Sequence, residues 1–197
     1  MKYGMFPKAF SFILTGMIKK DIHNSRTIGQ IKKEYRAIVE RADDIGENNM
    51  LISSYLLAAY FIAMCRNTGL SNEENRDIMK EGMKTSRLLK LAMGNADGYF
   101  SEKKMDVRRK WSAETHEHKY KNDWVVDVLE KTGDFEFGLD YTECGVCKLC
   151  KDEGCPELAV YLCSLDFMLV EVMGVHLDRT MTLAEGKEKC DFRFSRK

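Results

Sequence analysis

Residues 134–141, Asp-Phe-Glu-Phe-Gly-Leu-Asp-Tyr, alternate without a break. Phe135, Phe137, Leu139 and Tyr141 fall on one side, and Asp134, Glu136, Gly138 and Asp140 on the other. A period of two with one apolar side marks a strand with a single buried face. Just upstream, residues 124–130 are rich in valine and Lys131-Thr132-Gly133 supplies a turn, so the two stretches form a hairpin. Downstream, residues 175–183 and 190–194 flank Ala184-Glu185-Gly186 as a second hairpin. About four antiparallel strands are therefore expected in the C-terminal part of the chain.

Before residue 122 the period is 3.6. Helices are expected over 5–20, 27–42, 50–64, 71–93 and 99–120, with Ile28, Ile31, Tyr35, Ile38 and Val39 as an apolar stripe on the second. Ser71-Asn-Glu-Glu74 is a capping box: the serine oxygen accepts from the amide of Glu74, whose carboxylate reaches back. Residues 144–166 read as a cysteine-rich helical insertion broken at Gly154-Cys155-Pro156. The expected fold class is α+β, one domain over 1–197. Its helical half, 1–122, packs on a small antiparallel sheet in 123–197.

The 197 residues carry 31 basic and 31 acidic side chains, a balance that argues against a dedicated nucleic-acid binder. The apolar run 50–65 is too short for a membrane span and reads either as core or as the face of a homodimer. Residues 10–17 are followed at once by Lys19-Lys20, which reads as a helix and not as a secretory leader. Seven cysteines, an odd count, do not make a disulfide scaffold in a chain of this length. Free thiols in a reducing cytoplasm are expected. His116 and His118, two apart on a helix, point too far from each other to share a metal and read as surface residues.

In the last hairpin, Val175, Leu177, Arg179, Met181 and Leu183 share the face that Cys190, Phe192 and Phe194 occupy on the partner strand. The register that keeps both sets inward sets Cys190 opposite Leu183 and Phe194 opposite Arg179. Arg179 is then the only charge on a core-facing row. A buried guanidinium needs a carboxylate or an anionic ligand, and Asp166 is the nearest acidic partner to suggest itself. Arg179 either belongs to a binding site or makes a structural pair.

The cysteines admit three readings. Cys144-Gly-Val-Cys147-Lys-Leu-Cys150-Lys-Asp-Glu-Gly-Cys155-Pro156 approaches the ferredoxin run C-x2-C-x2-C-x3-C-P with one extra residue, so Cys144, Cys147, Cys150 and Cys155 are candidate ligands of an iron–sulfur cluster or zinc. A nucleophilic cysteine instead needs a helix N-terminus, a cation or a base beside it; Arg179 or His176 would supply part of that. Third, Cys65, Cys163 and Cys190 are small buried hydrophobes, the usual fate of a free thiol and the reading adopted for Cys65.

Cys144, Gly154, Glu157-Leu158, Cys163, Asp166, Arg179-Thr180-x-Thr182-Leu183, Gly186 and Cys190-Asp191-Phe192-Arg193 together resemble the L-2-amino-thiazoline-4-carboxylic acid hydrolase family. The resemblance covers roughly the last 55 residues, and Cys147, Cys150 and Cys155 lie outside its pattern. It implies a hydrolase that opens a small carboxylated cyclic amidine at a C–N or C–S bond and needs no cofactor. Under that reading Cys163 or Cys190 is the nucleophile and Asp166 the general base or orienter. Arg179 holds the substrate carboxylate, aided by Thr180, Thr182 and His176. The alternatives are a small-ligand sensor or cluster-binding domain that performs no chemistry, and a helical interaction module whose sheet is scaffold.

Overall fold

The structure, a computed structural model, describes residues 1–197. Ten helices run α1 (Met5–Ile18), α2 (Ser25–Arg41), α3 (Ile52–Asn67), α4 (Asn72–Thr85), α5 (Arg87–Met93), α6 (Ala96–Tyr99), α7 (Glu102–Thr115), α8 (Gly145–Asp152), α9 (Leu158–Ser164) and α10 (Asp166–Val172). The strands are β1 (Val125–Leu129), β2 (Phe137–Glu143), β3 (Val175–Asp178) and β4 (Cys190–Arg196). They form one antiparallel sheet in the order β1-β2-β4-β3. The fold is α+β, with a helical N-terminal half as the sequence implied. No helix is long and apolar enough to cross a membrane.

Helix α3 is the axis of the molecule. Every residue from 55 to 64 is buried, because a helix apolar on all sides must be enclosed on all sides. Helices α1, α2, α4, α8 and α9 enclose it. The alternative of a homodimer face on this run is thereby corrected: its apolar side chains are spent inside one chain. Helix α4 crosses α1 closely because position 82 is glycine; a Cβ there would lie 2.7 Å from the Cβ of Met17.

Three helix boundaries differ from the sequence reading. The helix expected over 71–93 breaks at Ser86, whose hydroxyl accepts from the amide of Leu89 at 3.2 Å and starts α5. Serine favours the cap over continuation, since its side chain offers the backbone another partner. The helix expected over 99–120 spans only Glu102–Thr115, after extended Ser101, and His118 has φ +48° beyond its end. Residues 166–172, which drew no expectation, form α10. The capping box at Ser71 and Glu74 is present in both directions.

The alternating stretch is a strand only from Phe137 onward, and its other side is not solvated: Gly138 and Asp140 are buried as well, Asp140 accepting from Lys189 at 2.6 Å and Arg193 at 2.7 Å. Phe137, Leu139 and Tyr141 are buried in β2, and β2 pairs with both β1 and β4, so the two hairpins merge into one sheet. In the second hairpin Phe194 lies opposite Leu177, two residues from the expected register. An even slip preserves the faces. The slip arises because β3 ends at Asp178. Beyond it, Asp191 accepts the amides of Thr180 and Met181 (2.9 and 2.7 Å) and the Thr180 hydroxyl (2.6 Å), pulling 179–182 out of the sheet.

Helix α7 covers the outer edge of β1. Ser112 donates its hydroxyl to the carbonyl of Val126 at 2.7 Å, and the amide of Val126 donates to Thr115 Oγ1 at 3.2 Å.

Candidate functional site

Between the sheet and the helices lies a cavity of about 1150 Å³, 26 of whose 37 lining residues are hydrophobic. Polar groups gather on one side of it: Cys144, Cys163, Asp166, Cys190 and Tyr141.

Cys144 follows β2 directly and occupies the cap position of α8. Gly145 makes this junction possible, since a Cβ there would meet the carbonyl oxygen of Asn122 at 2.5 Å and the Trp124 ring at 2.8 Å. The far end of α8 is tied down by Glu153, which accepts from Arg41 Nε at 2.7 Å and Arg66 Nη1 at 2.8 Å. The Cys144 thiol lies below the usual cysteine range. Its neighbour Cys147 is the main cause, the nearby amides of Cys147 and Val146 add to it, and together they outweigh burial. A thiol so placed at a helix N-terminus is nucleophilic.

Asp166 is the first residue of α10 and receives Arg179 Nη1 at 2.7 Å. The Arg179 side chain is 7% exposed. It also donates Nη2 to the carbonyl of Cys163 at 3.1 Å and lies against the rings of Phe167 and Phe192. Burial pushes Asp166 up to about 6 even though Arg179 opposes it. One third of its side-chain area remains open, and Asp166 borders the cavity. A carboxyl poised near neutrality beside a cavity is suited to proton transfer.

Tyr141 stands opposite Cys190 across the β2–β4 pairing. Its ring is buried and it borders the cavity, yet its hydroxyl bonds to no group of the chain. Burial keeps it a phenol, well above the usual tyrosine range, so it can donate a hydrogen bond to whatever enters.

The other expected site residues divide. Cys163 and Cys190 do border the cavity, but burial raises both thiols, Cys190 to about 11, and the sulfur of Cys190 accepts from the amide of Leu183 at 3.2 Å. Arg179 does not line the cavity; its guanidinium is committed to Asp166 and Cys163. Thr180 bonds to Asp191, and Thr182 caps the 3-10 turn Leu183–Glu185, donating to Glu185 at 2.8 Å and accepting its amide at 3.2 Å. Their hydroxyls are therefore loop fasteners that hold Arg179 against Asp166. His176 is exposed on the outer side of β3 beside Asp178.

The four clustered cysteines separate into two neighbouring pairs, Cys144 with Cys147 and Cys150 with Cys155. No group of three or more histidine, cysteine or acidic side chains converges here as a metal ion would need. His116 and His118 turn to separate surface carboxylates, Asp127 and Glu143.

Sequence reasoning gave Cys144 the role of a ligand and overlooked its place at a strand-to-helix junction. Within the helix expected over 99–120, it also gave Arg108 no role of its own. Arg108 is 5% exposed, lines the cavity, and lies 4.4 Å from the Tyr99 ring and 4.2 Å from the Phe137 ring. The signal was present: Met105, Arg108, Trp111 and Thr115 recur at helical spacing and are the buried face of α7.

No curated protein and no solved structure matches the chain. A family match, however, spans residues 49–194, from the start of the α3 region to the end of the sheet, and so takes in every wall residue discussed above. It covers 146 of 197 residues, far more than the C-terminal motif alone. With the thiol, the buried carboxyl and their arginine all inside the matched span, the chain belongs to the L-2-amino-thiazoline-4-carboxylic acid hydrolase family.

Proposed function

We propose that the chain is a thiol-dependent hydrolase that opens a carboxylated cyclic amidine at a C–N or C–S bond. The observation that carries this reading is one cavity wall shared by Cys144, a thiol lowered chiefly by its neighbour Cys147, and Asp166, a carboxyl with a pKa of about 6. Ionised Asp166 takes the proton of the Cys144 thiol as the sulfur adds to the amidine carbon, and the electron pair of the C=N bond moves onto nitrogen. The Tyr141 hydroxyl stabilises the developing charge by hydrogen bonding. Expulsion of the ring heteroatom, which takes that proton from Asp166, leaves a carbamimidoyl thioester; water then adds to its carbon with Asp166 as base, and the Cys144 sulfur leaves with the proton Asp166 returns. The net change is addition of water to the ring. A reducing compartment, the cytoplasm, would keep Cys144 and Cys147 as thiols.

The test is turnover of 2-amino-thiazoline-4-carboxylate by the purified protein and by Cys144→Ala. Turnover in the wild type and none in the variant supports the reading. Absence of turnover by the wild type, or undiminished turnover by the variant, overturns it.

A further inference from the structure

Arg108 is a buried cation without a carboxylate. Its hydrogen bonds within the chain both come from Nη1, to the backbone carbonyl of Tyr99 at 2.9 Å and the sulfur of Met105 at 3.4 Å. No acidic group forms an ion pair with it. A guanidinium carries five N–H donors, so most of its capacity is unspent. The Tyr99 and Phe137 rings, whose centroids are 5.6 Å apart, both lie against the guanidinium, and its remaining N–H groups are left for a ligand. Lys104 and Lys110 also border the cavity but are exposed, so Arg108 is the one buried cation in its wall.

Most of the wall is apolar, and its volume tells against a small ligand. About 1150 Å³ is at the upper end of what sites for drug-sized molecules occupy, roughly 300–1,000 Å³. A bare thiazoline acid leaves most of this space without contact. The indole of Trp111 adds a further donor: its Nε1 is the only buried side-chain nitrogen or oxygen without a partner, and Trp111 borders the same cavity.

We infer that the cavity receives a carboxylate with a large hydrophobic body, its anionic group on Arg108 and its body along the apolar wall. This rests on the proposed site being the place where substrate binds, and it names the class of substrate: a carboxylated heterocycle bearing a bulky apolar substituent. Burial lowers the pKa of Arg108, as expected for a cation that awaits its counter-charge.

Decanoate and decanol, matched in chain and differing in charge, are the probes. Both tryptophans, Trp111 and Trp124, line the cavity, so their fluorescence reports occupancy. The wild type is expected to bind decanoate about 10- to 100-fold more tightly than decanol, the range of a charge-assisted hydrogen bond. Arg108→Met, which keeps apolar volume between the rings, is expected to lose that preference while binding decanol as before. Arg108→Lys is expected to retain part of it. Equal binding of the two probes by the wild type overturns the inference, as does a full preference surviving in Arg108→Met or binding of neither probe. Should Arg108→Met fail to fold, an unreduced preference in Arg108→Lys together with none-to-weak competition of decanoate with iodoacetamide at Cys144 overturns it equally. Failure of the hydrolase reading would thus show as absent turnover with the preference intact, and failure of this inference as turnover with no preference.

Discussion

The carboxylate of Asp166 and the guanidinium of Arg179, thirteen residues apart in sequence, meet at 2.7 Å beneath the cavity floor. Removing the arginine leaves the Asp166 carboxylate without its counter-charge. Arg179→Met is expected to lower stability by about 2–3 kcal/mol, somewhat under the usual range for a fully buried pair because Asp166 keeps open area. The double variant Arg179→Met, Asp166→Leu is expected to recover most of the loss. Urea unfolding followed by fluorescence measures both.

Asp166 also sets a pH dependence. As a base it must be ionised, so kcat/KM for the thiazoline acid is expected to rise with pH through about 6 and then level. Asp166→Asn is expected to abolish that limb and lower the plateau about 10²–10⁴-fold. The stability effect has the opposite sign. The folded pKa exceeds the unfolded value of 3.8, so the native state binds the proton more tightly. Stability is expected to fall between about pH 4 and pH 6 and to stay level above, which thermal melts across that window would show.

Thiol chemistry separates the cysteines. At neutral pH, Cys144 is expected to react with iodoacetamide ahead of Cys163 and Cys190, whose thiols burial raises. Peptide mapping after brief labelling gives the order. Cys144→Ser is expected to lower kcat by about 10³-fold or more. Cys163→Ala is expected to leave most activity in place.

Gly145→Ala probes how precisely Cys144 is held. The added methyl meets backbone at 2.5 Å and indole at 2.8 Å, and neither can swing away. A stability loss of about 1–3 kcal/mol is expected, together with a fall in kcat that exceeds any change in KM. Equal kcat in the variant would show that the junction does not position the thiol.

Much of this site was legible in the chain. The alternation at 134–141 located the sheet, and Arg179 on an apolar row pointed to Asp166 before any coordinates, because a buried charge demands a counter-charge. What escaped was decided by three-dimensional closure. Parity places Thr180 and Thr182 on the outer side of an extended strand, but it does not reveal that Asp191 would gather 179–182 into a loop. Arg108 looked solvated because its neighbours Lys103, Lys104, Arg109 and Lys110 are, and only the packing of Tyr99 and Phe137 separates it from them. Cys144 was drawn into the cysteine run by spacing, whereas its chemistry comes from the helix that begins just after it.

The two hydroxyls that helix α7 lends to Val126 have a consequence for the molecule's behaviour in company. A border strand with free amides and carbonyls is a template onto which a stranger's backbone can zip. Ser112 and Thr115 occupy those positions, so the sheet stops growing there by construction. Replacing both with alanine and valine would leave the fold's interior intact while uncovering one donor and one acceptor at its rim. At high concentration the substituted chain should then polymerise into fibrils where the natural one stays dispersed.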